Sequence, residues 1–313
     1  MENSFSFFCD FNSSSGYGHL IRCSELAKIC LNHGNKTILI TNYPVNVLIE
    51  DFSLENAFSN ILTKDLLRPQ DYSNSVLIID SYNLDRNDDI FQFNWRKIVV
   101  IKDKNTPNFN SSMDITQYHE ARRTSLNDNE IFWPIVSQEF YEIGQKITSG
   151  NNSIKNVLVI EGGVNHSTFV SGMYHKLKKS KLNFHCKLLS NSVINIKDSR
   201  FTMSPLTYKL PELLGSSDVV FSTAGNVFWQ LLAARKVFGL GIQALNQKSN
   251  FDYAIHHKIA LPIGEYKNGT WDLKSSAILE LISNEDVQRS LKTKINLEKL
   301  PGDLNNLFYY LSK

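Results

Sequence analysis

Residues 217–242 read SDVVFSTAGNVFWQLLAARKVFGLGI, and the order of features along them sets the fold class. DVVFS is a short apolar, β-branched run of the kind that forms a strand. TAGN is a small-residue turn, NVFWQLLAA repeats its apolar residues at helical spacing, and KVFGLGI is a second strand. Strand, glycine turn, helix and strand in so few residues make a βαβ unit, which builds parallel sheets covered by helices. The pattern extends in both directions. Upstream, NVLVIEGG (156–163) runs into a double glycine, STFVSGMYHKLKKS reads as a helix and NFHCKLLS as a strand. In the N-terminal half, FSFFCDF (5–11) is a strand leading to a glycine turn and a helix over His19–Asn32. KTILIT (36–41), SVLIIDSY (75–82) and KIVVIKD (97–103) follow as strands. These runs are continuously apolar, as expected where helices cover both faces of a sheet. The polar stretch QKITSGNNSIKN (145–156) divides the two series. The sequence therefore predicts an α/β protein of two doubly wound, Rossmann-type domains facing a central cleft, residues 1–148 and 149–313. The tail KLPGDLNNLFYYLSK reads as a C-terminal helix that can pack on either domain and is counted with the second.

At 313 residues the chain is too long for one ordinary core and suits two. Its 33 basic and 31 acidic side chains, a formal +2, argue against the concentrated basic face that nucleic acid requires. Cys9, Cys23, Cys30 and Cys186 form no CxxC pair and have no metal-like spacing with histidine. They read as reduced, buried thiols of a cytosolic protein. SFSFF is followed by polar CDFNSSS without a basic leader region, and no run reaches the roughly 18 apolar residues of a membrane span. The expectation is a cytoplasmic protein with no integral membrane segment, no metal, no cofactor and no nucleic-acid partner.

A strand, a glycine turn and a helix together offer an anion free backbone N–H groups and the positive end of a dipole. The chain has this arrangement at Gly16-Tyr17-Gly18 and at Thr223-Ala224-Gly225-Asn226, with a further double glycine at Gly162-Gly163. None is a P-loop, because no Lys-Ser/Thr follows, and Ile21 stands where a dinucleotide motif has its third glycine. A tight turn would explain any one of them; three at strand ends point to an anionic ligand. His19 lies in the first turn of its helix, where the dipole disfavours imidazolium. A neutral ring there can take a proton from water or a hydroxyl, or it can simply cap and pack. His166 is a weaker candidate of the same kind. Asp80 and Tyr82 close the strand SVLIID at the carboxyl end, where sheets of this type bind ligands. Asp80 could hold His19, hold a sugar hydroxyl, or cap the next turn. Asn246 and Gln247, after VFGLGI, suit hydrogen bonding to a sugar or phosphate, or a loop cap. Phe228 and Trp229 read as core.

GYGHLIRCSELA (16–27) resembles the G-x-G-H-x-x-R-x-x-x-L-A signature of the UDP-sugar hydrolases of pseudaminic acid biosynthesis, which have the GT-B fold of nucleotide-sugar glycosyltransferases. The agreement continues through IDSYNLD, KDKN, QEFYE, VIEGG, SSDVVFSTAGNVFWQLLAA and LNQ in family order. The N-terminal signature is fairly specific, whereas the C-terminal block is shared by many GT-B enzymes. The resemblance implies a GT-B-like fold and a metal-independent reaction. In it, water attacks the anomeric carbon of a UDP-amino sugar, releasing UDP and a free 2,4-diacetamido sugar. It puts the catalytic histidine on His19 and nucleotide binding on Ser222, Gly225, Asn246 and Gln247. Gly16, Gly18, Arg22, Asp103, Gly162, Gly163, Asn226 and Gln230 are further candidates for binding the nucleotide or the sugar.

The sequence departs from the family at several positions. Cys9 replaces an arginine of the first strand, Ser81 a histidine, and Lys102 the first aspartate of a pair. Glu130 and Ser137 replace a glycine and an arginine, and Asn165 an aspartate. Gln230 replaces the acid that commonly holds the nucleotide ribose in GT-B folds. Retention of His19 with altered sugar-side positions implies kept machinery and a changed substrate. The first reading is hydrolysis of a nucleotide-activated amino sugar. The alternatives are a glycosyltransferase that moves the sugar from a UDP- or CMP-activated donor to a glycan acceptor, and a non-catalytic nucleotide-sugar binder.

Overall fold

The computed structural model describes residues 4–11, 18–42, 54–68, 72–103, 106–117, 129–146, 156–161, 168–206, 209–302 and 304–313. The chain divides into two compact units, Met1–Ser137 with Pro301–Lys313, and Gln138–Leu300.

The first unit is built on β1 (Ser4–Cys9), α1 (Gly18–Asn32), β2 (Lys36–Thr41), β3 (Asn60–Thr63), β4 (Ser75–Asp80), β5 (Lys97–Lys102), β6 (Met113–Thr116) and β7 (Glu130–Phe132). Among the described residues these form a seven-stranded sheet in the order β3-β2-β1-β4-β5-β6-β7, every pair parallel. Alternate residues of β4 enter different cores, which is why the run is apolar throughout. Val76 and Ile78 pack with α1, while Leu77 and Ile79 pack with Tyr72, Ile90 and Trp95 on the other face. Helix α1 buries Leu20, Cys23, Ala27 and Cys30, one stripe at helical spacing. It stops at Gly34, whose φ of +77° is the left-handed cap a glycine supplies.

The second unit contains α2 (Gln138–Lys146), β8 (Asn156–Ile160), α3 (Phe169–Leu177), β9 (His185–Leu189), β10 (Phe201–Ser204), α4 (Leu210–Ser216), β11 (Val219–Thr223), α5 (Val227–Ala233) and β12 (Val237–Ile242). It continues with α6 (Lys248–His256), β13 (Leu261–Lys267), β14 (Thr270–Leu273), α7 (Ser275–Ser283) and α8 (Glu285–Leu297). Its sheet runs β10-β9-β8-β11-β12-β13-β14, parallel except for the β13–β14 hairpin. The first five strands of each sheet thus share one order. In each, the order reverses between the first strand and its later neighbour, at β1/β4 and at β8/β11. Such reversals open a crevice at the carboxyl ends of the strands.

Two boundaries differ from the sequence reading. The division falls after Ser137, not after residue 148, because α2 packs on the second unit: Phe140 is buried, and a Cβ on Gly144 would lie 2.3 Å from the carbonyl oxygen of Ala233. The C-terminal helix (Leu304–Ser312) belongs to the first unit, not the second. Leu304, Leu307 and Leu311 enter the core shared by α1 and β1. Residues 147–155 of the expected linker lie outside the described residues, and the polar segment's first two residues complete α2.

Candidate active site

In the first unit the switch point brings together His19 from the start of α1, Asp80 from the last position of β4 and Arg22 from the next turn of α1. All are buried, at 4%, 1% and 6% exposure. The guanidinium grips the carboxylate at both oxygens. Arg22 Nε donates to Asp80 Oδ2 at 2.8 Å and Nη2 to Oδ1 at 2.7 Å. Burial works against the charge of Arg22, but the charge and hydrogen bonds of Asp80 outweigh it and hold the pKa above the ordinary arginine value. His19 Nδ1 stands 2.9 Å from the backbone oxygen of Asp80 and 3.3 Å from Oδ1. A carbonyl only accepts, so Nδ1 carries a proton, and in the neutral form of the ring the lone pair is on Nε2. The imidazole therefore lies beside a neutralised carboxylate, not a bare one, with its basic nitrogen on the far side of the ring.

Tyr82 sets its ring perpendicular to that of His19, centroids 4.4 Å apart at 86°. Its hydroxyl donates to Asp103 Oδ2. Burial, and then the Asp103 carboxylate, push the phenol well above its usual pKa, so the Tyr82 hydroxyl stands as the donor to Asp103. The Asp80 carboxylate is 1% exposed, with both oxygens bonded to Arg22 and Oδ1 beside His19. Lys102 pairs with Asp114. Gly18 is the first residue of α1, whereas Gly16 lies outside the described residues.

In the second unit, β11 ends in Ser222 and Thr223, both buried, and Ser222 Oγ donates to the carbonyl of Ile160 at 3.4 Å. The hydroxyl faces the sheet interior. Ala224 N–H donates to Gly241 O at 2.9 Å, and Asn250 Nδ2 reaches from α6 to Ala224 O at 3.3 Å, so the turn is fixed from two sides. Gln247, buried after β12, accepts Gln243 N–H at 3.0 Å. Its Nε2 lies 3.6 Å from where a Cβ on Gly225 would stand. Asn226 and Asn246 are exposed, and Asn226 makes no side-chain cap on α5. Gln230, half-buried on α5, has a buried Oε1 with no hydrogen-bond partner among the described residues. Phe228 and Trp229 are core, as read. Gly162, Gly163, Asn165 and His166 lie outside the described residues.

Two residues of these sites carry no mark in the sequence reading. Asn250 holds the glycine turn from the next helix but one, and nothing local announces it. Asp10 follows β1 and gathers the loop after β4; a lone acid closing an apolar strand, as Asp80 does, is the signal that finds it. All four cysteines are free and buried, and burial together with the neighbouring Cys9 raises the Cys23 thiol well above its ordinary pKa. Among the described residues no group of His, Cys, Asp or Glu is placed to hold a metal ion, and no helix is long and apolar enough to cross a membrane.

No protein-family model and no curated protein matches the chain. Solved structures do. MurG of Acinetobacter baumannii superposes with a TM-score of 0.65 at 8% identity, over 99% of each chain. Arabidopsis thaliana UGT89C1 complexed with UDP gives 0.65 at 13%, over 99% of this chain and all of the other. The spinosyn rhamnosyltransferase SpnG gives 0.63 at 8% over the whole of both. At such identities the likeness speaks for the fold alone. With two parallel Rossmann-type sheets of matching strand order and end-to-end agreement with these structures, the chain has the GT-B fold.

Proposed function

We propose that this chain acts on a nucleotide-activated sugar, with His19 as the base that activates a hydroxyl for attack at the anomeric carbon. One observation carries the reading. His19 Nδ1 donates to Asp80 O at the crevice of the first sheet, which directs Nε2 to the role of acceptor. The nucleophile's oxygen bonds to the anomeric carbon, its proton passes to Nε2, and the carbon–oxygen bond to the nucleotide phosphate breaks. Departure of an anion is assisted by backbone N–H groups and dipoles. Asp80 and Arg22 orient the ring. In the second unit, Gly225, Gln230 and Gln247 are the groups proposed to hold the nucleotide, Gln230 receiving a ribose hydroxyl.

Transfer to a glycan acceptor is favoured over hydrolysis. Structural neighbours named as glycosyltransferases support it. So does a cavity of about 700 Å³ in the first unit, at the carboxyl ends of β2 and β3. Asn42, Thr63, Lys64 and Asp65 give it a polar rim, and Leu67, Ile90 and Phe93 an apolar wall, a lining suited to a hydroxyl-rich molecule with one apolar face. Hydrolysis is retained because the signature residues His19 and Arg22 do meet on Asp80.

The test is incubation of the purified chain with UDP- and CMP-activated amino sugars, with and without glycan acceptors, followed by mass spectrometry. Nucleotide release that depends on acceptor supports transfer, and release without it supports hydrolysis. His19→Asn is expected to lower turnover by about 10²–10⁴-fold with nucleotide affinity unchanged. Full turnover in that variant would remove the base from the mechanism. Nucleotide binding without turnover in the unaltered chain would leave a binder.

A further inference from the structure

We propose that Asp10 is a positioning residue for His19, a buried carboxylate that fixes the tautomer and orientation of the imidazole by clamping the loop after β4. The inference rests on the reading of His19 as the base, but its geometry stands apart from any substrate.

Asp10 directly follows β1 and is 6% exposed. One of its oxygens, Oδ2, accepts four hydrogen bonds: from Ser81 Oγ at 3.0 Å, Tyr82 N at 2.7 Å, Asn83 N at 3.2 Å and Asn83 Nδ2 at 3.1 Å. Ser81 Oγ in turn accepts the N–H groups of Asn83 at 3.1 Å and Leu84 at 2.9 Å, so residues 81–84 wrap around this pair of side chains. A strand-end loop would otherwise keep its backbone freedom. Charge-assisted hydrogen bonds from successive amides offset the loss of that freedom and leave one arrangement.

Asp10 reaches His19 by two routes, one through its backbone and one through its carboxylate. Asp10 N–H donates to Asp80 O at 3.2 Å, the same carbonyl that receives His19 Nδ1–H, so the acceptor is fixed by β1 as well as by β4. Tyr82, pinned at its amide by Asp10 and at its hydroxyl by Asp103, has no freedom to swing away from the imidazole it abuts. The Asp10 carboxylate therefore acts through the loop and the Tyr82 ring, while the N–H bond to the Asp80 carbonyl is kept whatever side chain stands at this position. With the loop loose, the imidazole could rotate and lose the bond that keeps its proton on Nδ1.

The experiment reads the ring itself. Long-range ¹H–¹⁵N correlation spectra of the full-length labelled chain, with His19 assigned by its loss in His19→Asn, report which nitrogen is protonated. The unaltered chain is expected to show a single tautomer with hydrogen on Nδ1. Asp10→Ala is expected to give averaged shifts for both nitrogens. Turnover should fall at least about tenfold, in line with the cost of misplacing a catalytic group, and nucleotide affinity should stay within twofold. Asp10→Asn, which keeps one accepting oxygen, should lie between the two and serves as the readout if Asp10→Ala does not fold. Ser81→Ala, which removes one of the four donors, should produce a smaller shift. An unperturbed single-tautomer signature in folded Asp10→Ala, or in Asp10→Asn where the former is unfolded, overturns the proposal. Averaged shifts with unchanged turnover would leave Asp10 as the positioning residue and overturn the reading of His19 as base.

Discussion

Arg22 and Asp80 exclude water from each other, and neither belongs in that environment alone. Removing one partner of a buried pair leaves an uncompensated charge, so Arg22→Met is expected to cost about 3–5 kcal/mol, read as a shift in the urea midpoint. The double variant Arg22→Met/Asp80→Asn should cost less than the sum of the single ones, because no bare charge remains. A single-variant loss under about 1 kcal/mol would mean that the pair is reached by water. At this scale the sequence was informative about residue types and silent about partners. Asp80 was legible as a carboxylate at a strand end, but whether it held an imidazole, a sugar or a turn depended on where α1 came to rest. Arg22 entered through a motif alone, and the bidentate grip gave it a physical role. Ser222, implied as a ligand residue, is fully buried with its hydroxyl 3.4 Å from Ile160 O, a partner 62 residues away that no local pattern announces.

Secondary-structure elements with both faces buried were the easiest to read, since their apolar runs are uninterrupted. β3, β6, β7, β10, β13 and β14 were not read. All but β13 are three or four residues long, and all lie towards the sheet margins with half-exposed positions that break the pattern. One signal was overlooked: KNGT joins β13 to β14, with Asn268 at φ +50° and Gly269 at +79°, the left-handed pair a two-residue hairpin demands. β13 carries a sharper constraint at Gly264. Its φ is +153° and a Cβ would lie 2.3 Å from Asp272 O, so Gly264→Ala meets both backbone strain and a backbone atom. A loss of at least about 2 kcal/mol is expected in thermal unfolding. Gly215 in α4 is the control, with nothing within 4 Å of its Cβ position. Gly215→Ala should be neutral or stabilising by up to about 1 kcal/mol. Equal melting of the two variants would refute the close packing at Gly264.

For the whole molecule, the last thirteen residues are the sharpest test of how the chain is divided. Leu304, Leu307 and Leu311 are almost fully buried in the first unit. Phe308 stacks on His33 at 4.2 Å, and Lys97 Nζ donates to Tyr310 O at 2.8 Å. Ending the chain at Leu300 removes three buried leucines, worth on the order of 5 kcal/mol together. Hydrogen exchange is expected to show β1, β2 and β4 losing protection while β8, β11 and β12 keep theirs. Equal loss in both units would contradict the division. The sequence by itself determined that there are two parallel α/β series and where their central strands and glycine turns fall. Those features are local: burial on both faces writes a continuous apolar run, and a tight turn writes its glycine. It also marked His19 and Asp80 at the ends of their elements. Only the tertiary structure decided that α2 joins the second unit, that the C-terminal helix returns to the first, and that Asp80 and Tyr82 abut one imidazole while Arg22 and Asp10 hold them. Those facts depend on contacts between residues far apart in the chain. Such contacts leave no periodicity to read, because each is fixed by how elements pack and not by which residues are neighbours.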